Sequence, residues 1–105
     1  MSNTLLKIYK DIEMKNQVIG DTLDLGIGKA GYSNEYVFYV YNDSRAEFVD
    51  LELKVGDEEV NVASFPEVVK PWSREKFKLV WKPSADIEQP LRSTFRITGK
   101  KLFRP

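Results

Sequence analysis

Polar and apolar residues alternate with a period of two along much of the chain, the pattern of strands that bury one face. Val49, Leu51, Leu53 and Val55 alternate with Asp50, Glu52 and Lys54. Phe77, Leu79 and Trp81 alternate with Lys76, Lys78 and Lys82, with Val80 as the apolar exception. Leu91, Ser93, Phe95 and Ile97 alternate with Arg92, Thr94, Arg96 and Thr98. Residues 36–41 read differently: Tyr-Val-Phe-Tyr-Val-Tyr is apolar or aromatic on both faces. That run fits a central strand covered on both sides, or a strand whose outer face is a binding surface. Residues 5–9 and 22–27, and more weakly 60–65, are further strand candidates.

Turn residues fall between these runs. Asn42, Asp43 and Ser44 close the aromatic strand, and Gly56, Asp57, Glu58 and Glu59 suggest a hairpin between two strands. Pro66, Pro71, Pro83 and Pro90 lie between strands, where a missing backbone donor does least harm. No long amphipathic helix is predicted. Residues 84–89 and 10–18 are candidates for a short helical turn. Roughly seven short strands with regularly spaced turns predict an all-β antiparallel sandwich, with a closed barrel as the competing architecture. Trp81, on the dry face of its strand, is expected in the core, and Trp72, in a Pro-Trp-Ser turn, at the surface.

Composition narrows the chemistry. The chain has 105 residues, the size of one domain spanning residues 1–105. It has no His and no Cys. This removes the commonest general base, thiolate nucleophiles, disulfides and the usual zinc and iron–sulfur ligands. No apolar run approaches the roughly 20 residues of a spanning helix. The first ten residues carry no basic region followed by an apolar stretch. A secretory leader is therefore not expected, and an intracellular or virion-associated location is.

Two motifs invite chemical readings that their context does not support. Asp57, Glu58 and Glu59 form the densest carboxylate cluster, but lack the spacing and glycine of a calcium loop and read as a solvated turn. Gly26, Gly28 and Gly31 form a Gly-x-Gly-x-x-Gly string. A phosphate site would need a helix after it, and the next run is β. No catalytic residue, cofactor or metal ligand is assigned.

The net charge is zero, from 16 basic and 16 acidic side chains. The zero is a cancellation. Residues 43–69 carry 2 basic and 8 acidic side chains, and residues 70–105 carry 10 and 3. Every charge after Glu88 is positive: Arg92, Arg96, Lys100, Lys101 and Arg104. Such a stripe can touch phosphate, but it also serves solubility and edge protection, and no aromatic–basic RNA-binding signature accompanies it. Nucleic acid is not the favoured partner.

From residue 23 onward, a series of short motifs resembles the immunoglobulin-like ASH-type domain and its relative, the major sperm protein domain. Leu23-Asp24-Leu25-Gly26 is similar to the family's opening strand, and Val40-Tyr41-Asn42-Asp43-Ser44 to its Val-x-Asn-x-Ser strand end. Val69-Lys70-Pro71-Trp72-Ser73 resembles a Pro-Gly-Ser turn. Leu79-Val80-Trp81-Lys82-Pro83 resembles a Val-x-Phe-x-Pro strand, and Phe95-Arg96-Ile97-Thr98-Gly99 the closing strand. Trp72 stands where the family usually has Gly, which allows a positive φ that Trp tolerates poorly. Residues 1–22 fall outside the pattern and are expected as an added strand or arm, with residues 100–105 as a tail.

The resemblance implies an immunoglobulin-like sandwich that works by protein–protein contact and not by catalysis. The favoured expectation is a structural or interaction subunit of a larger assembly, such as a virion accessory protein that decorates or cements a capsid or tail. A cytoskeletal or ciliary adaptor is the alternative the family suggests. A third expectation is a carbohydrate-binding module with Tyr32, Tyr36, Tyr39, Tyr41 and Trp72 as a stacking platform. The candidate contact residues are Tyr39, Tyr41 and Trp72 for apolar contact and Arg92, Arg96, Lys100, Lys101 and Arg104 for charge. Protein or self-association is the expected mode.

Overall fold

A computed structural model describes residues 6–103. These residues form two antiparallel sheets, with no helix among them. The strands are β1 (Leu6–Tyr9), β2 (Gln17–Val18), β3 (Thr22–Asp24), β4 (Asn34–Asn42), β5 (Glu47–Val55), β6 (Val60–Ser64), β7 (Arg74–Trp81) and β8 (Arg92–Leu102). One sheet runs β2-β1-β4-β7-β6 and the other β3-β8-β5. β2, with two residues, is too short for alternation to reveal it.

The alternating strands bury their apolar faces against each other. Phe77, Leu79 and Trp81 of β7 and Phe95 and Ile97 of β8 all lie in one core, joined by Leu6, Ile8, Leu23, Phe38, Val40, Leu51 and Leu53. Phe77 sits at its centre, stacked on Phe38 at 5.5 Å and meeting Phe65 edge-on at 5.0 Å. Trp81 is 1% exposed, as its alternation predicts. Its indole lies so close to Gly28 that a Cβ there would stand 2.8 Å from the ring.

One buried polar residue ties the sheets together at one end. Asn42 is fully buried, and its side-chain amide donates to the carbonyls of Ala46 (2.7 Å), Val69 (3.2 Å) and Lys70 (3.1 Å). Its oxygen accepts from the Ser44 hydroxyl at 2.7 Å. Val69 in turn exchanges two backbone bonds with Phe48 of β5 in the other sheet. The Val-x-Asn-x-Ser motif is thus a buried clamp.

Several sequence expectations need correction. In β5 the buried residues are Phe48, Leu51 and Leu53, and Val49 is only half-buried. The cause is a bulge: Val49 pairs with Lys100 but Glu52 with Thr98, so β5 holds one extra residue. Asp50, at φ 53°, absorbs it and reverses which face points inward. The turn at residues 56–59 does not close a hairpin. β5 pairs with β8 and β6 with β7, so this turn carries the chain from one sheet to the other.

Neither helical candidate is a helix. Residues 10–16 form the turn between β1 and β2. There the Asp11 carboxylate accepts the amides of Lys15 and Asn16, and these bonds hold its pKa below the ordinary carboxylate value. In residues 84–89, Ile87 bridges to Gly28 instead. Within residues 1–22, expected as an added strand or arm, β1 lies inside the larger sheet between β2 and β4. Residues 100–102, expected to begin a tail, are the last of β8.

Candidate functional site

β4 is the central strand of the larger sheet, and its two faces have separate tasks. Phe38, Val40 and Asn42 point into the core. Val37, Tyr39 and Tyr41 alternate onto the outer face, where Val37 is 40% exposed and both tyrosines are half-buried. Among the described residues no second sheet covers this face.

Register decides what surrounds these side chains, because residues opposite one another across paired strands share a face. Tyr39 lies between Tyr9 of β1 and Lys76 of β7. Tyr41 lies between Lys7 and Arg74, and Val37 faces Lys78. Three tyrosines from two strands therefore form a band flanked by four cations. Two of the cations are compensated: Lys7 bonds Asp43 at 2.8 Å and Lys78 reaches Glu35 at 3.6 Å. The hydrogen bond to Asp43 raises the Lys7 amine above its ordinary value, so it stays charged. Arg74 and Lys76 make no ion pair among the described residues.

Trp72 sits at the Tyr41 end of this face, in the turn that leads into β7. Ser73 fixes the turn by donating its hydroxyl to the Lys70 carbonyl at 2.7 Å, and its own carbonyl accepts the Asn42 amide. Trp72 occupies the left-handed region at φ 58° and is 58% exposed. The turn therefore keeps the backbone geometry that favours Gly while presenting an indole.

The basic candidates lie elsewhere. Arg92, Arg96, Lys100 and Lys101 are exposed on β8, in the smaller sheet. Arg92 stands opposite Asp24, Arg96 opposite Lys54, and Lys100 lies 3.7 Å from Asp50. Arg104 lies outside the described residues. The described candidates thus divide between β4 with the turn before β7 and β8 of the other sheet, and do not form one patch.

The aromatic platform expected for sugar binding is also dispersed. Tyr36 alternates onto the inner face, where its hydroxyl donates to the Leu25 carbonyl at 2.7 Å and burial raises its pKa. Tyr32 belongs to the loop before β4, at the opposite end of that strand from Tyr41. Only Tyr39 and Tyr41 share the outer face, with Trp72 at its end.

Tyr9, Lys7, Arg74, Lys76 and Lys78 are members of this surface that the sequence reading did not gather. All but Arg74 lie on a strand candidate, but alternation cannot say which strands will be neighbours. The two motifs with chemical readings are absorbed locally. Asp57 accepts the Glu59 amide at 2.9 Å, and Glu59 accepts the Ser84 hydroxyl at 2.5 Å. Gly26 and Gly31 take φ values of 75° and 82° in a loop that leads into β4, not into a helix. No protein-family model, curated protein or solved structure matches the chain.

Proposed function

We propose that this chain is a non-catalytic structural subunit that docks onto a protein partner through the outer face of the β1-β4-β7 layer. One observation carries the reading: a tyrosine band lies beside two cations, Arg74 and Lys76, that have no carboxylate among the described residues. Tyr and Arg are the residue types that concentrate binding energy at protein interfaces. Uncompensated cations beside them select a partner surface that supplies carboxylates. Docking here would complete ion pairs that the free molecule lacks.

Strand order supports the immunoglobulin-like part of the reading. The order β1-β4-β7-β6 corresponds to A-B-E-D of that fold, and β5 and β8 to C and F. β3 takes the place of strand G, antiparallel to β8. An accessory subunit of a virion, decorating or cementing a capsid or tail, is the setting we favour. A cytoskeletal or ciliary adaptor would use the same face.

The test is capture of the partner from the native assembly by charge-reversed variants. Arg74→Glu with Lys76→Glu should abolish capture while leaving the melting temperature near that of the parent. Arg92→Glu with Arg96→Glu should capture normally. Loss in the β8 variant alone would overturn the assignment of the face. Release of the captured material by nuclease or by free sugars would overturn the protein partner.

A further inference from the structure

Each end of the molecule carries an exposed apolar patch edged with charge, and the two charges are opposite. At one end a groove of about 370 Å³ opens between the loop before β4 and the loop before β8. Its apolar lining includes Ile27, Tyr32 and Ile87, of which Ile27 is 64% and Tyr32 66% exposed. Asp86 and Glu88 set its charge, offset in part by Lys29. The groove is built: Gly28 and Ile87 exchange backbone bonds across it, and Asp86 accepts the Ala30 amide at 2.9 Å.

At the other end β8 runs out as Lys100, Lys101, Leu102 and then Phe103. Leu102 is 42% and Phe103 64% exposed, and the Lys101 ammonium lies 5.6 Å from the Phe103 ring. This end is aromatic and cationic, with Asp50 at 3.7 Å offsetting Lys100 in part, where the groove is apolar and anionic.

The two patches cannot meet within one molecule. Leu91, just before β8, bonds to Gly26 at the groove, and Phe103 follows the last residue of β8. The eleven residues of β8 lie between Leu91 and Phe103, a span of roughly 40 Å at the usual rise. The molecule is elongated, 52 × 25 × 20 Å. An extended strand end that complements a groove on the far end of the same chain fits a second copy.

We propose that this protein self-associates end to end, the Leu102 and Phe103 side chains of one copy entering the Ile27–Tyr32–Ile87 groove of the next, with Lys100 and Lys101 against Asp86 and Glu88. The contact is heterologous, so it repeats and builds open chains or a ring instead of stopping at a symmetric dimer. It uses neither the tyrosine band nor Arg74 and Lys76, so it stands apart from the docking face.

Sedimentation velocity over a wide concentration range tests this. The parent should form species that grow with concentration. Phe103→Ser spoils only the strand end, and Ile27→Lys with Glu88→Lys spoils only the groove while leaving the Asp86–Ala30 bond in place. Each variant alone should remain monomeric, with dissociation constants raised by about tenfold or more. Mixed in equal amounts, each supplies the end that the other lacks, and the mixture should form dimers and nothing longer. Arg74→Glu with Lys76→Glu should associate like the parent. A parent that is monomeric throughout, single variants that still form chains, or a mixture that fails to pair would each overturn the proposal.

Discussion

Asn42 shows how a single residue can serve as a structural clamp. Its side-chain amide, itself fully buried, bonds carbonyls in two segments, at Ala46 and at Val69 and Lys70. Each such hydrogen bond contributes about 0.5–1.5 kcal/mol net, so losing them in Asn42→Ala should destabilise the fold by about 2–4 kcal/mol in urea melts. Asn42→Asp should cost more at neutral pH, because it turns an oxygen toward carbonyl oxygens. Tyr36 supplies a pH-dependent effect. Burial raises its phenol above the ordinary 10.0, so the native state keeps the proton to higher pH than the unfolded chain does. Its contribution is complete below pH 10 and is lost as pH rises through the raised native value. Alkaline melts should therefore fall off less steeply for Tyr36→Phe than for the parent. Trp72 shows the opposite economy, a left-handed backbone held by a large side chain. Trp72→Gly should raise stability by about 1 kcal/mol in thermal melts and, if the indole belongs to the docking face, weaken capture of the partner.

At the scale of elements, the strands were legible and their connections were not. Phe77, Leu79 and Trp81 announce β7 because nothing interrupts their alternation. β5 has an equally regular pattern, yet its register changes at Asp50, and no local signal marks a bulge at a residue other than Gly. The consequence is testable: Asp50→Gly should stabilise the chain by about 1 kcal/mol, and Asp50→Val, β-branched at positive φ, should destabilise it. Thermal melts of the two variants should move in opposite directions. The turn at residues 56–59 has the composition of a hairpin. Its role as a crossover depends on β5 preferring β8 and β6 preferring β7, which are contacts remote in sequence. The same limit applies to the proposed docking face. Tyr39 and Tyr41 were visible as candidates because they share one strand, whereas Tyr9, Arg74 and Lys76 join them only through register.

Over the whole molecule, the charge separation along the chain is largely folded away. Acidic β5 lies beside basic β8 in the smaller sheet, with Lys100 near Asp50. The asymmetry between the middle and last thirds is therefore no measure of a dipole across the molecule. Two cations without an ion pair among the described residues, Arg74 and Lys76, lie on the other sheet, beside the tyrosine band. Exposed apolar side chains include Ile27 and Tyr32 in the loop before β4 and Leu102 and Phe103 at the end of β8. These placements separate the proposed docking face from the proposed end-to-end contact and leave the core strands as the frame between them. The most direct test is cross-linking mass spectrometry of the native assembly, carried out with an amine-to-carboxylate reagent. The account predicts links from Lys76 and Lys78 to carboxylates of a partner protein, with few from Lys100 and Lys101 to that partner. Partner links confined to β8, with Lys76 and Lys78 unlinked, would contradict it.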